Sequence, residues 1–144
     1  MHTLPTEGCP GDTSIEALLA EATERVDAGV VDPARFDEPY RRHRPDDLLA
    51  IAHQTRPPDP VEPVVVHGAA RLSSLLLVEG RPAAWLDLDR CGVGDPYRDL
   101  ATLSIDLAAQ VSPEILGPFL DLYGLEWPEL VRMDFHVLVD QLLR

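Results

Sequence analysis

Two stretches concentrate the side chains whose types and spacing could do chemistry. One is His67-Gly68-Ala69-Ala70-Arg71-Leu72-Ser73-Ser74; the other runs through Asp87, Asp89, Arg90, Asp95, Tyr97 and Asp99. The Asp87-Leu88-Asp89 spacing offers two carboxylates to a hard cation such as Mg²⁺, which takes oxygen donors. The same pair would also serve to cap backbone N–H groups at a strand end. His67 follows an apolar run, so it is either a general base or a buried, hydrogen-bonded imidazole. Ser73 and Ser74 lack a neighbouring base and an oxyanion signature, which argues against a serine hydrolase.

Composition narrows the chemistry. The 144 residues carry 12 basic against 25 acidic side chains, a formal net charge of -13. That balance excludes a general nucleic-acid binder, which needs cations to displace phosphate counterions. Every basic residue is Arg, and the chain has neither Lys nor Asn. No step requiring a lysine or an asparagine can be performed by this chain alone. Cys9 and Cys91 stand far apart in sequence and form neither a zinc pair nor a disulfide framework. The five His residues lack metal-site spacing. No signal-peptide pattern and no apolar run of membrane length occurs, so the expected location is the cytoplasm.

The elements that must position these residues follow from local pattern. Thr13 and Glu16 form a capping-box pattern, and Ile15, Leu18, Leu19, Ala22 and Val26 recur at helical spacing up to Gly29. Pro45 opens a second helix with Asp46 and Asp47 in its first turn, ending before Pro57-Pro58. Val64–Val66, Leu75–Val78 and Ala83–Leu86 read as short strands, the last two joined by a Glu79-Gly80 turn. A third helix spans Tyr97 to about Gln110. Ser112-Pro113 and Trp127-Pro128 start two more, with Gly124 as a stop between them. Pro57–Pro63 is a short connector. The expected architecture is α+β, mainly helical, with a small hairpin sheet, in one domain over 1–144.

The string from Asp87 through Ala101, spaced as it is after His67-Gly68, resembles the C-terminal lobe of aminoglycoside 3'-phosphotransferases, and the similarity runs from Cys9-Pro10 to the chain's end. The resemblance implies a protein-kinase-like fold and ATP-dependent phosphorylation of an aminoglycoside hydroxyl, the resistance reaction, with Mg and ATP as cofactors. It also implies an N-terminal nucleotide lobe that this chain does not contain. Residue by residue, Ala69 stands where the family has its catalytic aspartate, and Ser74 where an asparagine binds metal. No catalytic position is therefore intact. Asp87 matches the metal-binding aspartate, while Asp89 replaces a glycine. His67, Asp95 and Asp99 fall at positions that brace the loops, as does Tyr97. Asp37, Glu38, Arg90 and Asp140 match substrate-binding positions. Other pocket carboxylates are replaced by Pro39, Ala109, Gln110 and Gln141, and Arg144 extends past the family's terminal aromatic position, occupied by Leu143. The implied protein is a family member that is catalytically deficient alone. The alternatives are a non-catalytic module binding a cationic aminoglycoside-like compound or a partner protein, and one half of a split transferase completed by a separate N-terminal lobe chain. No nucleic-acid or membrane partner is expected.

Overall fold

The structure is a computed structural model and describes residues 1–57 and 61–144. The first helix, α1 (Ile15–Asp27), buries Leu18, Leu19 and Ala22 on one face. Its cap lies one residue later than the capping-box pattern predicts. Ser14 Oγ accepts the Ala17 N–H, because Thr13 is drawn into a strand. Gly29, at φ +66°, turns the chain out of the helix. Helix α2 (Pro45–Gln54) opens on Pro45 and buries Leu48 and Ala52. Of the predicted connector after it, residues 58–60 lie outside the described residues.

Helices α3 (Tyr97–Gln110), α4 (Leu116–Tyr123) and α5 (Leu130–Leu143) complete the helical part. The fourth is entered through a short 3₁₀ turn at Pro113–Ile115 and left at Gly124, φ +97°. The last helix starts at Leu130, two residues past Pro128. It packs against α1, α2 and α3, so it is the spine of the lobe. Phe36, Leu48, Phe135, Val139 and Leu142 meet between α1, α2 and α5 in the main core. Truncating such a fully buried leucine to alanine costs about 2–5 kcal/mol.

Two small sheets sit beside the helices. Strand β3 (Leu75–Val78) pairs antiparallel with β4 (Arg81–Trp85), and the Glu79-Gly80 turn has φ +51° and +73° at its two residues. Positive φ at both is what a tight two-residue hairpin turn demands. The second sheet has the order β1-β5-β2, built from β1 (Asp12–Thr13), β5 (Gly92–Gly94) and β2 (Val64–Val66). Its β1–β5 pair is parallel and its β2–β5 pair antiparallel. Local pattern predicts β2 but neither of the other two strands. Gly92-Val93-Gly94 has no apolar run to mark it, yet it is the middle strand. Its glycines permit the close approach, since a Cβ at Gly94 would overlap Thr13.

Candidate active site

Strand β2 delivers the 67–74 loop to the first turn of α3, where Asp99 receives it. Asp99 Oδ2 accepts the His67 N–H at 2.7 Å and Oδ1 accepts the Gly68 N–H at 2.9 Å. From the neighbouring position, Arg98 Nε donates to the Gly68 carbonyl at 2.8 Å. Both side chains are buried, so each of these bonds works without competing water. Gly68 has φ +84°, and a Cβ there would overlap the Arg90 carbonyl. The glycine thus lets the loop lie directly on the turn that carries Asp89 and Arg90.

His67 is a linking residue by geometry. Its Nε2 lies 2.8 Å from the Leu86 carbonyl, to which it donates, and its ring meets Trp85 edge-on at 5.3 Å. Nδ1 is buried and has no partner among the described residues. Ser74 ties the same hairpin from the other side, its carbonyl accepting the Leu86 N–H at 2.8 Å. Ala69 lies half-buried at the loop's apex between these anchors.

The carboxylates expected to hold a metal are placed differently. Asp87 follows β4 with φ +64°, and both Asp87 and Asp89 are exposed. Among the described residues, no three His, Cys, Asp or Glu side chains gather into a group able to hold an ion. Mg²⁺ prefers six oxygens in octahedral order and retains its waters reluctantly exchanged. An exposed Asp87 and a buried Ser74 do not by themselves meet that need.

The expected substrate carboxylates do not form an open acidic pocket. Asp140, on the buried side of α5, faces three guanidiniums: Arg71 at 2.5 Å, Arg144 at 2.9 Å and Arg98 at 3.3 Å. Burial pushes the Asp140 carboxyl up, but these three cations outweigh it and hold it below the usual carboxylate range. Arg144 also reaches Asp37 at 2.6 Å. Glu38 lies exposed, 4.0 Å from Arg41. Arg90 is committed as well, to Glu21 through two contacts of 2.9 and 3.2 Å and to the Leu143 carbonyl at 2.9 Å.

A second buried anchor lies just ahead of the same end of α3. Asp95 accepts the Tyr97 N–H at 2.8 Å and pairs with Arg132 at 2.7 Å, with His136 Nε2 at 3.3 Å. Burial pushes Asp95 up; the His136 contact, the Tyr97 N–H and Arg132 outweigh it and hold the carboxyl low. Burial pushes His136 down in turn, so it stands neutral near neutral pH.

Sequence reasoning missed Asp106, whose Oδ2 accepts the Leu72 N–H at 2.9 Å and whose Oδ1 faces Arg71 at 3.4 Å. It also missed the roles of Arg71, Arg98 and Arg132. A signal was present: Arg98, Thr102 and Asp106 are spaced by four along α3, a polar stripe on a helix whose same side is buried.

A buried carboxylate thus clamps the loop after a strand, and a hairpin is tied to that loop. Comparison with known proteins gives this arrangement a family. The model of the phosphotransferase enzyme family matches residues 1–136, and the chain belongs to that family. An aminoglycoside 3'-phosphotransferase from Streptomyces fradiae is 33% identical over 147 residues, covering 98% of this chain and 54% of its own. One from Escherichia coli is 29% identical over 141 residues, covering 98% and 51%. The crystal structure of a type VIII aminoglycoside 3'-phosphotransferase superposes with TM-score 0.87 at 30% identity, over 98% of this chain and 55% of that one. A Streptomyces rimosus aminoglycoside phosphotransferase, solved with ADP and streptomycin, gives TM-score 0.84 at 27% identity, over 99% and 58%. The chain therefore spans about half the length of the relatives it matches. Among the described residues, no helix is long and apolar enough to cross a membrane.

Proposed function

We propose that this chain is an aminoglycoside-phosphotransferase-like protein that is catalytically deficient on its own. The residue at the apex of the braced loop carries the proposal. Asp99 and Arg98 grip the backbone at 67 and 68, so the loop keeps its shape whatever side chain follows. Ala69 follows, and a methyl group can accept no proton. The enzymes it resembles use an aspartate there to orient and deprotonate the acceptor hydroxyl. Loss of a general base costs about 10²–10⁴ in rate. Ser74 in place of an asparagine removes a longer oxygen donor. Phosphoryl transfer rests on positioning and on neutralising phosphate charge, and a chain without lysine must take part of that from elsewhere. The acceptor class would be aminoglycosides and the donor Mg-ATP, with Asp87 as this chain's contribution to the metal. Asp37 and Glu38 would face the cationic sugar.

A fusion of this chain to the nucleotide-binding half of a related phosphotransferase tests the proposal. ATP-dependent phosphorylation of kanamycin is measured for the fusion and for the same fusion with Ala69→Asp and Ser74→Asn. The expected result is a rate at least about 10²-fold higher for the double replacement. Equal rates in two folded fusions would sink the idea that position 69 disables the chain.

A second reading, one half of a split transferase, is favoured by the hairpin. Leu76, Leu77 and Val78 on β3, with Leu86 and Leu88 beyond β4, are 43–55% exposed. Strand β2, by contrast, buries Val65 and Val66. Adding a nucleotide-binding half as a separate chain should then form a complex by sedimentation; two independent species would count against it.

A further inference from the structure

Cys9 and Cys91 are remote in sequence, and the fold brings them side by side. Strand β1 runs parallel to β5 in the register Asp12↔Val93, with the Val93 N–H donating to the Gly11 carbonyl at 2.8 Å. Continued back past both strands, that register sets Gly11 beside Gly92 and Pro10 beside Cys91, with Cys9 the next residue. The approach is tight: a Cβ at Gly11 would overlap the Cys91 carbonyl. The Cys9 and Cys91 side chains lie within hydrogen-bonding reach of one another, so the two sulfurs are neighbours. Both cysteines are free and half-buried, so a small oxidant can reach them.

We propose that Cys9 and Cys91 form a redox-responsive dithiol that a low-molecular-weight disulfide converts into an intramolecular bridge. The Cys9 thiolate attacks one sulfur of the disulfide RSSR, forming a mixed disulfide and expelling RS⁻. The Cys91 thiolate then attacks Cys9 Sγ, breaking the mixed disulfide and expelling the second RS⁻. Both thiol protons end on the released thiols, so two RSH form for one bridge. The order follows from the surroundings. Burial, followed by the adjacent Cys9 side chain, pushes the Cys91 thiol up, which disfavours it as the first nucleophile.

The bridge would join the lead-in to β1 to the turn that carries Asp89 and Arg90. These line one cleft of about 320 Å³ together with Asp12, Thr13, Glu21 and Gly68. Oxidation would therefore fix the wall of the cleft against which the 67–74 loop rests. A pair closed and reopened in this way suits a reducing compartment, where disulfides are transient and sensing.

The test is peptide mapping of the folded chain after incubation with oxidised glutathione. Trypsin cuts after Arg25, Arg90 and Arg98, which puts Cys9 and Cys91 on separate peptides. The expected product is one linked pair lighter by two hydrogens, released by a reductant. Cys91→Ser should stop at a glutathione adduct on Cys9, and the oxidised wild type should melt several degrees higher than the reduced form. Two stable glutathione adducts with no linked pair, two thiols still titrating with Ellman's reagent, or a disulfide-linked dimer would each overturn the proposal. The wild-type map decides the matter even if a serine variant fails to fold.

Discussion

Arg144 Nε lies 2.9 Å from Oδ2 of Asp140, the same oxygen that Arg71 approaches at 2.5 Å. One buried carboxylate thus joins the end of α5 to the 67–74 loop, while Arg98 completes the set from α3. A site that the resemblance assigns to a cationic ligand is filled, in this chain, by its own cations.

Asp140 and Asp37 should respond very differently to neutralisation. Asp140→Asn leaves Arg98, which is 1% exposed, without its counter-charge. Breaking a buried pair from one side costs about 3–5 kcal/mol. Asp37 is 47% exposed in its pair with Arg144, and Asp37→Asn should cost no more than about 1 kcal/mol. Urea unfolding of the two variants measures the gap, and equal losses would contradict the central place given to Asp140.

Arg144 should compete with added polycations. Arg144→Gln frees Asp37 and relieves one of three cations on Asp140. The expected effect is a kanamycin affinity about two- to fivefold higher at physiological salt, the equivalent of roughly 0.5–1 kcal/mol. Titration calorimetry at two salt concentrations separates this from non-specific attraction, which salt screens.

Asp99 is the main support of the loop. Asp99→Ala strands the buried N–H groups of His67 and Gly68, each worth about 1–3 kcal/mol when left unpaired. Asp99→Asn keeps one acceptor oxygen and should recover part of the loss. Hydrogen exchange at the two amides reports the change directly: fast exchange is expected in the alanine variant and intermediate exchange in the asparagine variant.

Acid should weaken the fold in two stages. His136 has its pKa lowered by burial from 6.5, so the unfolded chain binds a proton there first. Stability is then lost as pH falls below about 6.5. Asp95 and Asp140 have lowered carboxyls, so their contribution is present above about 4 and lost as pH falls through their folded values. His136→Gln should remove the upper stage only. An unchanged slope between about pH 7 and 5 in that variant would contradict the assignment.

Helices α1, α2 and α3 were legible because each is encoded locally. Leu18, Leu19 and Ala22 share a face by spacing alone, and Pro45 and Gly124 mark boundaries through their own backbone limits. The Glu79-Gly80 hairpin was legible for the same reason. The motif residues could be named but not placed in their partnerships. Nothing near Gly92-Val93-Gly94 announces a strand, since its two partners arrive from residues 12–13 and 64–66. The shift of the α1 cap from Thr13 to Ser14 has the same origin, a strand pairing that no local pattern records.

The sequence by itself determined the charge, the absence of lysine and asparagine, the positions of the helices, and the methyl group at position 69. These are properties of residue type and near-neighbour spacing, which the chain carries before it folds. Only the tertiary structure decided that Asp140 is held by three arginines, that Arg90 is held by Glu21, and that the Cys9 side chain meets that of Cys91. Coulomb attraction and strand pairing act over a few ångströms of space whatever the separation along the chain, and helix packing sets those distances.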